Sequence, residues 1–252
     1  MQSTFGDIHQ NVGIWLQRLA EYLAMPEVYD IGAHTGMFTI RLAELGCRVT
    51  AFEPVPATLK GLRRAVSASP AAERISIIDR GISNQDAQVV IHQFSDETFN
   101  SLFPRSDEER SRYHLEVSGH AEIRVQPLDR LQQELNLPQP RLIKMDIEGA
   151  ELYALQGAHR LMQQAQPIIL LEYSTENCRN AGYERRELLH ELQLHGYTAF
   201  GLYRNRDETL YGPEHFDDPR IWNIIAVPGD EVEGFLQAFA DYNGRGRQLP
   251  EK

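Results

Sequence analysis

The chain has 252 residues, of which 42% are hydrophobic, and this is enough to bury one large core in a globular domain. Its formal net charge of −11 argues against a polyanionic partner such as a nucleic acid, because phosphate backbones are bound through Lys and Arg. Two cysteines do not make a disulfide framework, no Cys/His spacing is typical of a metal site, and no apolar run reaches the length of a membrane span.

Residues 8–24 are predicted to form an amphipathic helix ahead of the first strand. Apolar residues recur with the period of one helix face. They are Ile8, Val12, Trp15, Leu16, Leu19 and Leu23. A helix in this place is typical of an entry helix or a lid, so we predict that residues 1–24 are a helical entry or lid segment within one domain that spans residues 1–252.

Residues 28–36, with the sequence Val-Tyr-Asp-Ile-Gly-Ala-His-Thr-Gly, are predicted to be a buried strand that ends in a glycine turn. Asp30 lies at the carboxyl end of the strand, Gly32 and Gly36 bracket the turn, and Phe38 follows in a helical segment. In an open α/β sheet this crevice at the strand end is where ligands bind. Glycines there let the backbone approach a ligand without a Cβ in the way.

The spacing of this turn, Asp-x-Gly-x-x-x-Gly, is not the Gly-x-Gly-x-x-Gly fingerprint of a dinucleotide site. The acid at Asp30 would repel a pyrophosphate, but it suits a ligand whose near end is cationic or donates hydrogen bonds. S-adenosylmethionine (SAM), with a sulfonium, an ammonium and a ribose, is such a ligand. The alternative interpretation of residues 28–36 is a plain strand–helix turn without a ligand. A nucleotide-binding oxidoreductase is a second functional alternative, and the glycine spacing together with Asp30 counts against it.

The next two strand ends add groups to the same edge of the sheet. Residues 47–52 are a predicted strand, and Glu53 follows it about twenty residues after the first turn, where α/β cofactor sites place an acid that accepts hydrogen bonds from a ribose. Pro54 then turns the chain. After a third strand, Gly81 would let the backbone lie against an adenine edge, and Ile82 would cover one face of the ring.

Residues 87–128 interrupt the alternation of strands and helices. Residues 88–94 and 121–126 are predicted strands, and the polar stretch 95–120 between them is too long for an ordinary connection in a compact domain. We predict that residues 87–128 are an insertion that lies over the active face of the sheet. Within it, the charged run 105–112 is predicted to be a solvated surface turn.

The stretch 140–151, Pro-Arg-Leu-Ile-Lys-Met-Asp-Ile-Glu-Gly-Ala-Glu, concentrates charge at the end of a buried strand. Lys144 is a cation inside the strand, and Asp146, Glu148 and Glu151 follow within six residues. If these carboxylates lie near one another, at least one must be paired or have a raised pKa. Lys144 is interpreted either as a structural partner of Asp146 or Glu148, or as a catalytic group.

The last third of the chain is predicted to complete the sheet. Gly149 opens a helix that carries Leu152, Leu155 and Leu161. A fully apolar central strand at 167–171 then ends in Glu172 and Tyr173 on the side of the site. The remaining predicted elements are a helix at 183–195, strands at 198–203 and 222–227, a short helix at 231–242 and a polar tail at 243–252. The fold is therefore α/β, with a doubly wound, mostly parallel sheet that closes in an antiparallel hairpin.

Four blocks of the sequence are similar to the FkbM family of SAM-dependent methyltransferases. They are residues 28–39, 51–56, 142–151 and 168–173, in family order over about residues 25–200. The Lys-x-Asp-x-Glu-Gly-x-Glu block is the most specific, and Asn100-Ser101-Leu102 and Leu128-Asp129 are lesser matches. His34 lies where the family usually has Asn. Both side chains hydrogen-bond locally, and a histidine could add pH sensitivity near neutrality.

The resemblance implies a class I SAM methyltransferase with a Rossmann-like seven-stranded sheet, SAM as cofactor and S-adenosylhomocysteine as product. The implied cofactor-binding residues are Asp30, Gly32, Ala33, His34, Gly36, Phe38, Glu53, Pro54, Gly81, Ile82 and Asp146. The implied acceptor-side residues are Lys144, Asp146, Glu148 and Glu172, with His34 and Tyr173 as runners-up. The base that would deprotonate the acceptor is left open among them.

The FkbM family is associated with O-methylation of natural products, sugars and glycans. A small-molecule hydroxyl or carboxylate acceptor is therefore expected, in a cytoplasmic protein without nucleic-acid or membrane partners. Mg²⁺ held by Asp146, Glu148 and Glu172 is a less favoured variant, because carboxylates suit a hard cation but no regular ligand spacing supports it. A non-catalytic interaction protein with the same fold is a further alternative. Such a protein is expected to have lost residues of the site, whereas the carboxylates and glycines are all present here.

Overall fold

The computed structural model describes residues 4–203 and 209–239, with side chains considered from Asn11 onward. The predicted polar tail at 243–252, the end of the predicted helix 231–242 and the side chain of Ile8 lie outside the described residues. Among the described helices, none combines the length and the apolar character that a bilayer crossing requires.

A seven-stranded sheet, in the order β3-β2-β1-β7-β8-β10-β9, forms the centre of the fold. Its strands are β1 Glu27–Ile31, β2 Arg48–Phe52, β3 Ile75–Ile78, β7 Leu142–Met145, β8 Ile168–Glu172, β9 Tyr197–Tyr203 and β10 Ile221–Pro228. The first five in spatial order are parallel, and β10 runs antiparallel to both β8 and β9. The predicted doubly wound sheet with a final antiparallel hairpin is confirmed.

Helices cover both faces of this sheet. They are α1 Thr4–Tyr22, α2 Met37–Glu44, α3 Pro56–Ala68, α4 Asp107–Arg112, α5 Leu128–Glu134, α6 Glu151–Gln156, α7 His159–Gln164, α8 Thr175–Asn180, α9 Arg185–Leu194 and α10 Val232–Phe239. Successive residues of β1 alternate between the layers: Val28 packs in one core with α1, α2 and α10, and Tyr29 packs in the other with α5, α6, α7 and α9. Since both faces of the sheet are buried, its central strands are rich in apolar residues, and Asp30 and Lys144 are charged exceptions.

Two helical predictions need correction. Leu161 lies in α7 and not in the helix that starts after Gly149, because that helix, α6, ends before Gly157 and α7 begins at His159. A Cβ at Gly157 would lie 2.1 Å from the carbonyl oxygen of Ser83, so only glycine allows this approach of the two segments. The sequence analysis also missed α8, whose first turn is capped by the Ser174 side chain.

The segment that interrupts the alternation builds a small sheet of three strands in the order β4-β6-β5, with β4 Gly81–Ile82, β5 Ala87–Phe94 and β6 Val117–Gln126. Between β5 and β6, α4 starts with a capping box formed by Ser106 and Glu109. The prediction of a solvated turn at 105–112 is wrong for Arg105 and Glu109, since 7% and 4% of their surfaces are exposed. The division of the chain into a lid, an insertion and one domain stays a prediction.

Candidate active site

A cavity of about 390 Å³ opens at the carboxyl ends of β1, β2, β7 and β8. The order of the sheet reverses between β1 and β7, and such switch points are where open α/β sheets bind ligands. Across the sheet the cavity is lined in turn by Glu53 after β2, Gly32 after β1, Asp146 after β7 and Glu172 at the end of β8. The volume is in the range of small-molecule sites.

The two glycines of the first turn are required by protein neighbours. A Cβ at Gly32, where φ is +80°, would lie 2.0 Å from the carbonyl oxygen of Asp146 on the adjacent strand end. A Cβ at Gly36 would lie 2.7 Å from Leu62 Cδ1, and Gly36 does not line the cavity. The expectation that both glycines make room for a ligand is therefore corrected: Gly32 lines the cavity, whereas Gly36 shapes the turn.

Three other predicted residues of the turn, Ala33, His34 and Phe38, do line the cavity. His34 has a left-handed backbone with φ of +50°, and its N–H donates to Glu53 Oε2 at 3.0 Å. Asn and His both tolerate this conformation, which explains how His replaces the usual Asn. Burial lowers the pKa of His34, so the side chain is neutral at neutral pH, and titration is expected only below that range.

The stability of two His34 variants tests this backbone argument. His34→Asn is expected to change the free energy of unfolding by less than about 0.5 kcal/mol, while His34→Val loses about 1–2 kcal/mol because a β-branched residue is strained at positive φ. Urea denaturation measures both. Equal losses in the two variants would mean that the imidazole, rather than the backbone conformation, matters at this position.

Glu53 is buried at the end of β2 and holds two backbone segments together. Its Oε2 accepts the His34 N–H, and its Oε1 accepts the Val55 N–H at 2.8 Å. Burial raises the pKa of Glu53 to about 7, although these two hydrogen bonds act to lower it. Each carboxylate oxygen keeps a second lone pair for a ligand donor.

Apolar residues adjoin Glu53 on the side of the small sheet. Pro54, Gly81 and Ile82 all line the cavity, and Gly81 pairs with Val125 in the β4–β6 ladder. A Cβ at Gly81 would lie 3.0 Å from Val125 Cγ1 and 3.5 Å from Pro54 Cγ. Pro54 and Ile82 make this part of the wall apolar, which suits the face of an aromatic ring.

Asp30 does not line the cavity. It is the register partner of Lys144 across the β1–β7 ladder, and its Oδ1 lies 3.3 Å from Lys144 Nζ. Its Oδ2 accepts from Thr39 Oγ1 at 2.5 Å. The prediction that Asp30 contacts a ligand is therefore corrected, because this fully buried carboxylate is committed to Lys144 and Thr39.

Lys144 lines the cavity, although only 3% of its side chain is exposed. Its Nζ donates to the Gly32 carbonyl oxygen at 2.8 Å and lies 3.9 Å from Asp146 Oδ2. Burial acts to lower the pKa of Lys144, but the charges of Asp30 and Asp146 outweigh it and hold the pKa above its usual value. Of the two predicted partners of Lys144, Asp146 is found at 3.9 Å and Glu148 is not a partner, while the nearest carboxylate is that of Asp30, which was not predicted.

A connected polar network occupies the other side of the cavity. Arg105 donates to Glu148 and to the Asn177 side-chain oxygen. Asn177 Nδ2 in turn donates to Glu148 Oε2 at 2.9 Å and to Glu172 Oε2 at 2.8 Å. Burial raises the pKa of Glu148 to about 7 in spite of Arg105, and burial followed by the charge of Glu148 raises the pKa of Glu172 well above its usual value.

The loop that carries Asp146 and Glu148 is held from both sides. Glu151 accepts the backbone N–H groups of Ile147 and Gly149 at 2.8 and 3.0 Å, so this third carboxylate braces the loop and lines no part of the cavity. Ser101 Oγ donates to the Glu148 carbonyl oxygen at 2.7 Å. Glu148 itself has a left-handed backbone with φ of +56°, and such strain is concentrated at functional sites.

Sequence reasoning missed several residues of the cavity wall. Arg105, Asn177, Trp222 and Asn223 all line it, and Tyr173, one of the predicted runners-up, is buried elsewhere with Arg185 stacked over its ring. The only sequence feature that could have drawn attention to Arg105 was the charged run 105–112, and such a run favours a solvent-exposed turn. Trp222 and Asn223 lie in β10. The sequence alone does not show that β10 lies beside β8, next to the cavity.

The oxygens of Asp146, Glu148 and Glu172 lie within 4.8 Å of one another. Oxygen ligands of this kind suit Mg²⁺ or Ca²⁺. In the structure, however, Asn177 and Arg105 already occupy oxygens of Glu148 and Glu172, and Lys144 lies beside Asp146. A divalent cation would have to compete with these donors.

The comparisons with known proteins agree with this geometry. A family model described as the methyltransferase FkbM domain matches residues 30–199. No curated protein matches the chain. Among solved structures, methyltransferase FkbM from Methylobacillus flagellatus KT is 21% identical with a TM-score of 0.49, over 80% of this chain and 43% of that chain.

Two further solved structures match the chain. Cofactor-bound Rv0187 from MTB is 15% identical with a TM-score of 0.50, over 86% of this chain and 79% of that chain. The O-methyltransferase from Bacillus cereus in complex with SAH is 15% identical with a TM-score of 0.48, over 86% of this chain and 80% of that chain.

The chain spans less than half of the length of the Methylobacillus flagellatus protein. At such identities a likeness between structures concerns the fold alone. The family model, by contrast, matches more than half of the chain, and its range begins at Asp30 and extends past Glu172, through the strand ends that surround the cavity. The chain belongs to the FkbM methyltransferase family.

Proposed function

We propose that this protein is a SAM-dependent O-methyltransferase that acts on a hydroxyl group of a small molecule such as a natural product or a sugar. SAM-dependent methyl transfer is the activity of the family. The observation that carries the finer proposal is that one cavity is lined by Glu53, Gly81 and Ile82 on one side and by Asp146, Glu148 and Glu172 on the other. We call these the Glu53 wall and the acid-rich wall. The acid-rich wall supplies a base, which a hydroxyl acceptor needs.

The residues of the first wall fit SAM by their chemistry. Glu53 offers free lone pairs to ribose hydroxyls, and Ile82 offers an apolar face to the adenine. The carboxylate of Asp146, a third of whose side chain is exposed, suits the cationic methionine end. When bound, SAM supplies an electrophilic methyl group on its sulfonium.

Charge at the acceptor wall favours a neutral acceptor over an anionic one. Asp146, Glu148 and Glu172 are acidic, and the two cations nearby are already paired: Lys144 with Asp30, and Arg105 with Glu148. A carboxylate acceptor would meet repulsion from Asp146 and from the ionised form of Glu148 there. A hydroxyl group can instead donate a hydrogen bond to any of these oxygens.

Glu148 is proposed as the general base. With SAM bound as the methyl donor, the acceptor oxygen would take the methyl group, S-adenosylhomocysteine would leave, and the hydroxyl proton would pass to the Glu148 carboxylate. A pKa of about 7 suits this task at neutral pH. Arg105 and Asn177 fix the carboxylate, so orientation contributes along with proton transfer.

Isothermal titration of SAM and S-adenosylhomocysteine tests the cofactor site. Glu53→Ala is expected to weaken SAM binding about tenfold or more, because it removes a buried charged acceptor. Glu73→Ala, on an exposed turn away from the cavity, is the matched control and should bind like wild type. Absence of SAM binding by folded wild-type protein would overturn the proposal. Retained binding by Asp146→Ala would assign that residue to the acceptor wall.

The metal-assisted variant rests on the cluster of Asp146, Glu148 and Glu172. Methyl transfer to an acceptor found by a mass-shift screen should survive dialysis against EDTA if the base is Glu148 alone. Loss of activity with EDTA and recovery with Mg²⁺ would favour the metal-assisted reaction. In that case Arg105 would have to release Glu148.

A further inference from the structure

We infer that the protein holds a second, separate site, for a zinc-type divalent cation, formed by His159, Glu191 and His195. His159 is the first residue of α7, and Glu191 and His195 lie at the carboxyl end of α9. None of the three lines the cavity. Two imidazoles and one carboxylate with room for a water molecule form a common zinc ligand set. The sequence showed no metal spacing, because His159 is far from the other two along the chain.

The three potential ligand atoms converge on one point. His159 Nε2 lies 2.7 Å and His195 Nε2 lies 3.5 Å from the same oxygen, Glu191 Oε1. All three atoms lie within 4.8 Å of one another. Ligands at about 2.0–2.1 Å from a tetrahedral zinc are themselves about 3.3 Å apart. Small side-chain adjustments would therefore place a cation between them.

Backbone positions favour this convergence. Glu191 and His195 are four residues apart at the end of α9, so their side chains share one face of the helix. His159 is the first residue of α7 and reaches the pair from the neighbouring helix. The rings of His159 and His195 lie 4.6 Å apart between centroids. The ligand set thus joins α7 and α9, whose apolar residues Leu161 and Leu188 belong to the same core.

Burial distinguishes this cluster from a chance surface pair. Only 6% of the His195 side chain and 10% of the Glu191 side chain are exposed, while His159 is 52% exposed and gives access from solvent. His195 Nδ1 is buried without a hydrogen-bond partner among the described residues, so the polar contacts of this ring are made by Nε2. A buried histidine whose Nε2 faces a carboxylate and a second imidazole is poised to bind a cation.

Zinc titration of metal-stripped full-length protein tests the inference, with calorimetry for stoichiometry and thermal unfolding for stability. We expect one zinc ion per chain, a raised melting temperature with Zn²⁺, and no comparable rise with Mg²⁺, because imidazole ligands select against magnesium. The exposed His159→Ala variant and Glu191→Gln should each weaken zinc binding about tenfold or more. SAM affinity measured on the same samples confirms that the variants are folded.

Two controls assign the binding to this cluster. His190→Ala removes an exposed histidine of α9 outside the ligand set, and His92→Ala removes one member of the exposed His92–His120 pair on the small sheet. Both should bind zinc like wild type. Failure of wild type to bind zinc, or unchanged zinc affinity in His159→Ala and Glu191→Gln, would overturn the inference. Neither result would bear on the methyltransferase proposal, which the SAM titration tests separately.

Discussion

Replacement of Lys144 by methionine is expected to destabilise the protein by about 3–5 kcal/mol. The substitution keeps most of the side-chain volume but leaves the carboxylate of Asp30 fully buried without its cation. It also removes the hydrogen bond from Nζ to the Gly32 carbonyl oxygen, which ties the β1 turn to β7. Urea denaturation of the purified variant measures the loss.

Two companion variants show whether the buried charge is the cause. Combining Lys144→Met with Asp30→Asn removes both charges and should recover a large part of the lost stability, because the cost arises from one unpaired ion. Arg141→Met breaks the largely exposed ion pair with Glu231 and should change stability little. If Lys144→Met cost less than about 1 kcal/mol, Asp30 would not depend on Lys144 and the interpretation of this pair would be wrong.

Glu148→Gln is expected to lower kcat for methyl transfer by about 10²–10⁴-fold while SAM affinity stays close to wild type. Glutamine can still accept a hydrogen bond from Arg105, so the network keeps most of its shape, but it cannot take the hydroxyl proton. The measurement requires an acceptor from the mass-shift screen and single-turnover kinetics with saturating SAM. Asp146→Asn, measured in parallel, tests the other carboxylate of this loop that lines the cavity.

The comparison of these two variants separates the roles of the carboxylates. A large kcat loss in Glu148→Gln with a small one in Asp146→Asn supports Glu148 as the base. The reverse pattern would transfer that role to Asp146. Full activity in both would contradict base catalysis by this loop and would favour an acceptor that is already ionised.

The pH dependence of kcat provides an independent test of the base. Because Glu148 must be ionised to accept a proton, kcat should rise with pH and level off above the pKa of about 7. Glu148→Gln should remove this inflection. Glu53, whose pKa is also raised to about 7, acts on SAM binding, so its titration should affect KM for SAM rather than kcat at saturation. A flat wild-type profile from pH 6 to 8 would contradict the assignment.

Much of the site could be predicted because its parts are local. Strand and helix periods placed Glu53, Asp146 and Glu172 at the carboxyl ends of parallel strands, and such ends meet at one edge of a sheet. The left-handed backbone of His34 and the hydrogen bonds of Glu151 within its own loop are also short-range features, but they were not predicted.

Other assignments depended on which strands become neighbours. Asp30 was expected to face a ligand, yet β1 lies beside β7, which sets Asp30 against Lys144 in register. Gly32 was expected to admit a ligand, yet the space above it holds the Asp146 carbonyl oxygen. Neither contact has a signal in the local sequence, because each joins segments more than one hundred residues apart.

The sequence by itself determined the class of the fold, the edge of the sheet that carries the site and the carboxylates that face it, since these follow from hydrophobic period and from residues next to strand ends. Only the tertiary structure decided the partners of those carboxylates. It brought Arg105 from a charged run to Glu148 and Asn177, and it brought His159 to Glu191 and His195. The physical reason is that a buried charge is costly unless it is paired with an opposite charge or hydrogen-bonded. The packing of the elements, and not proximity along the chain, determines which partner is close enough.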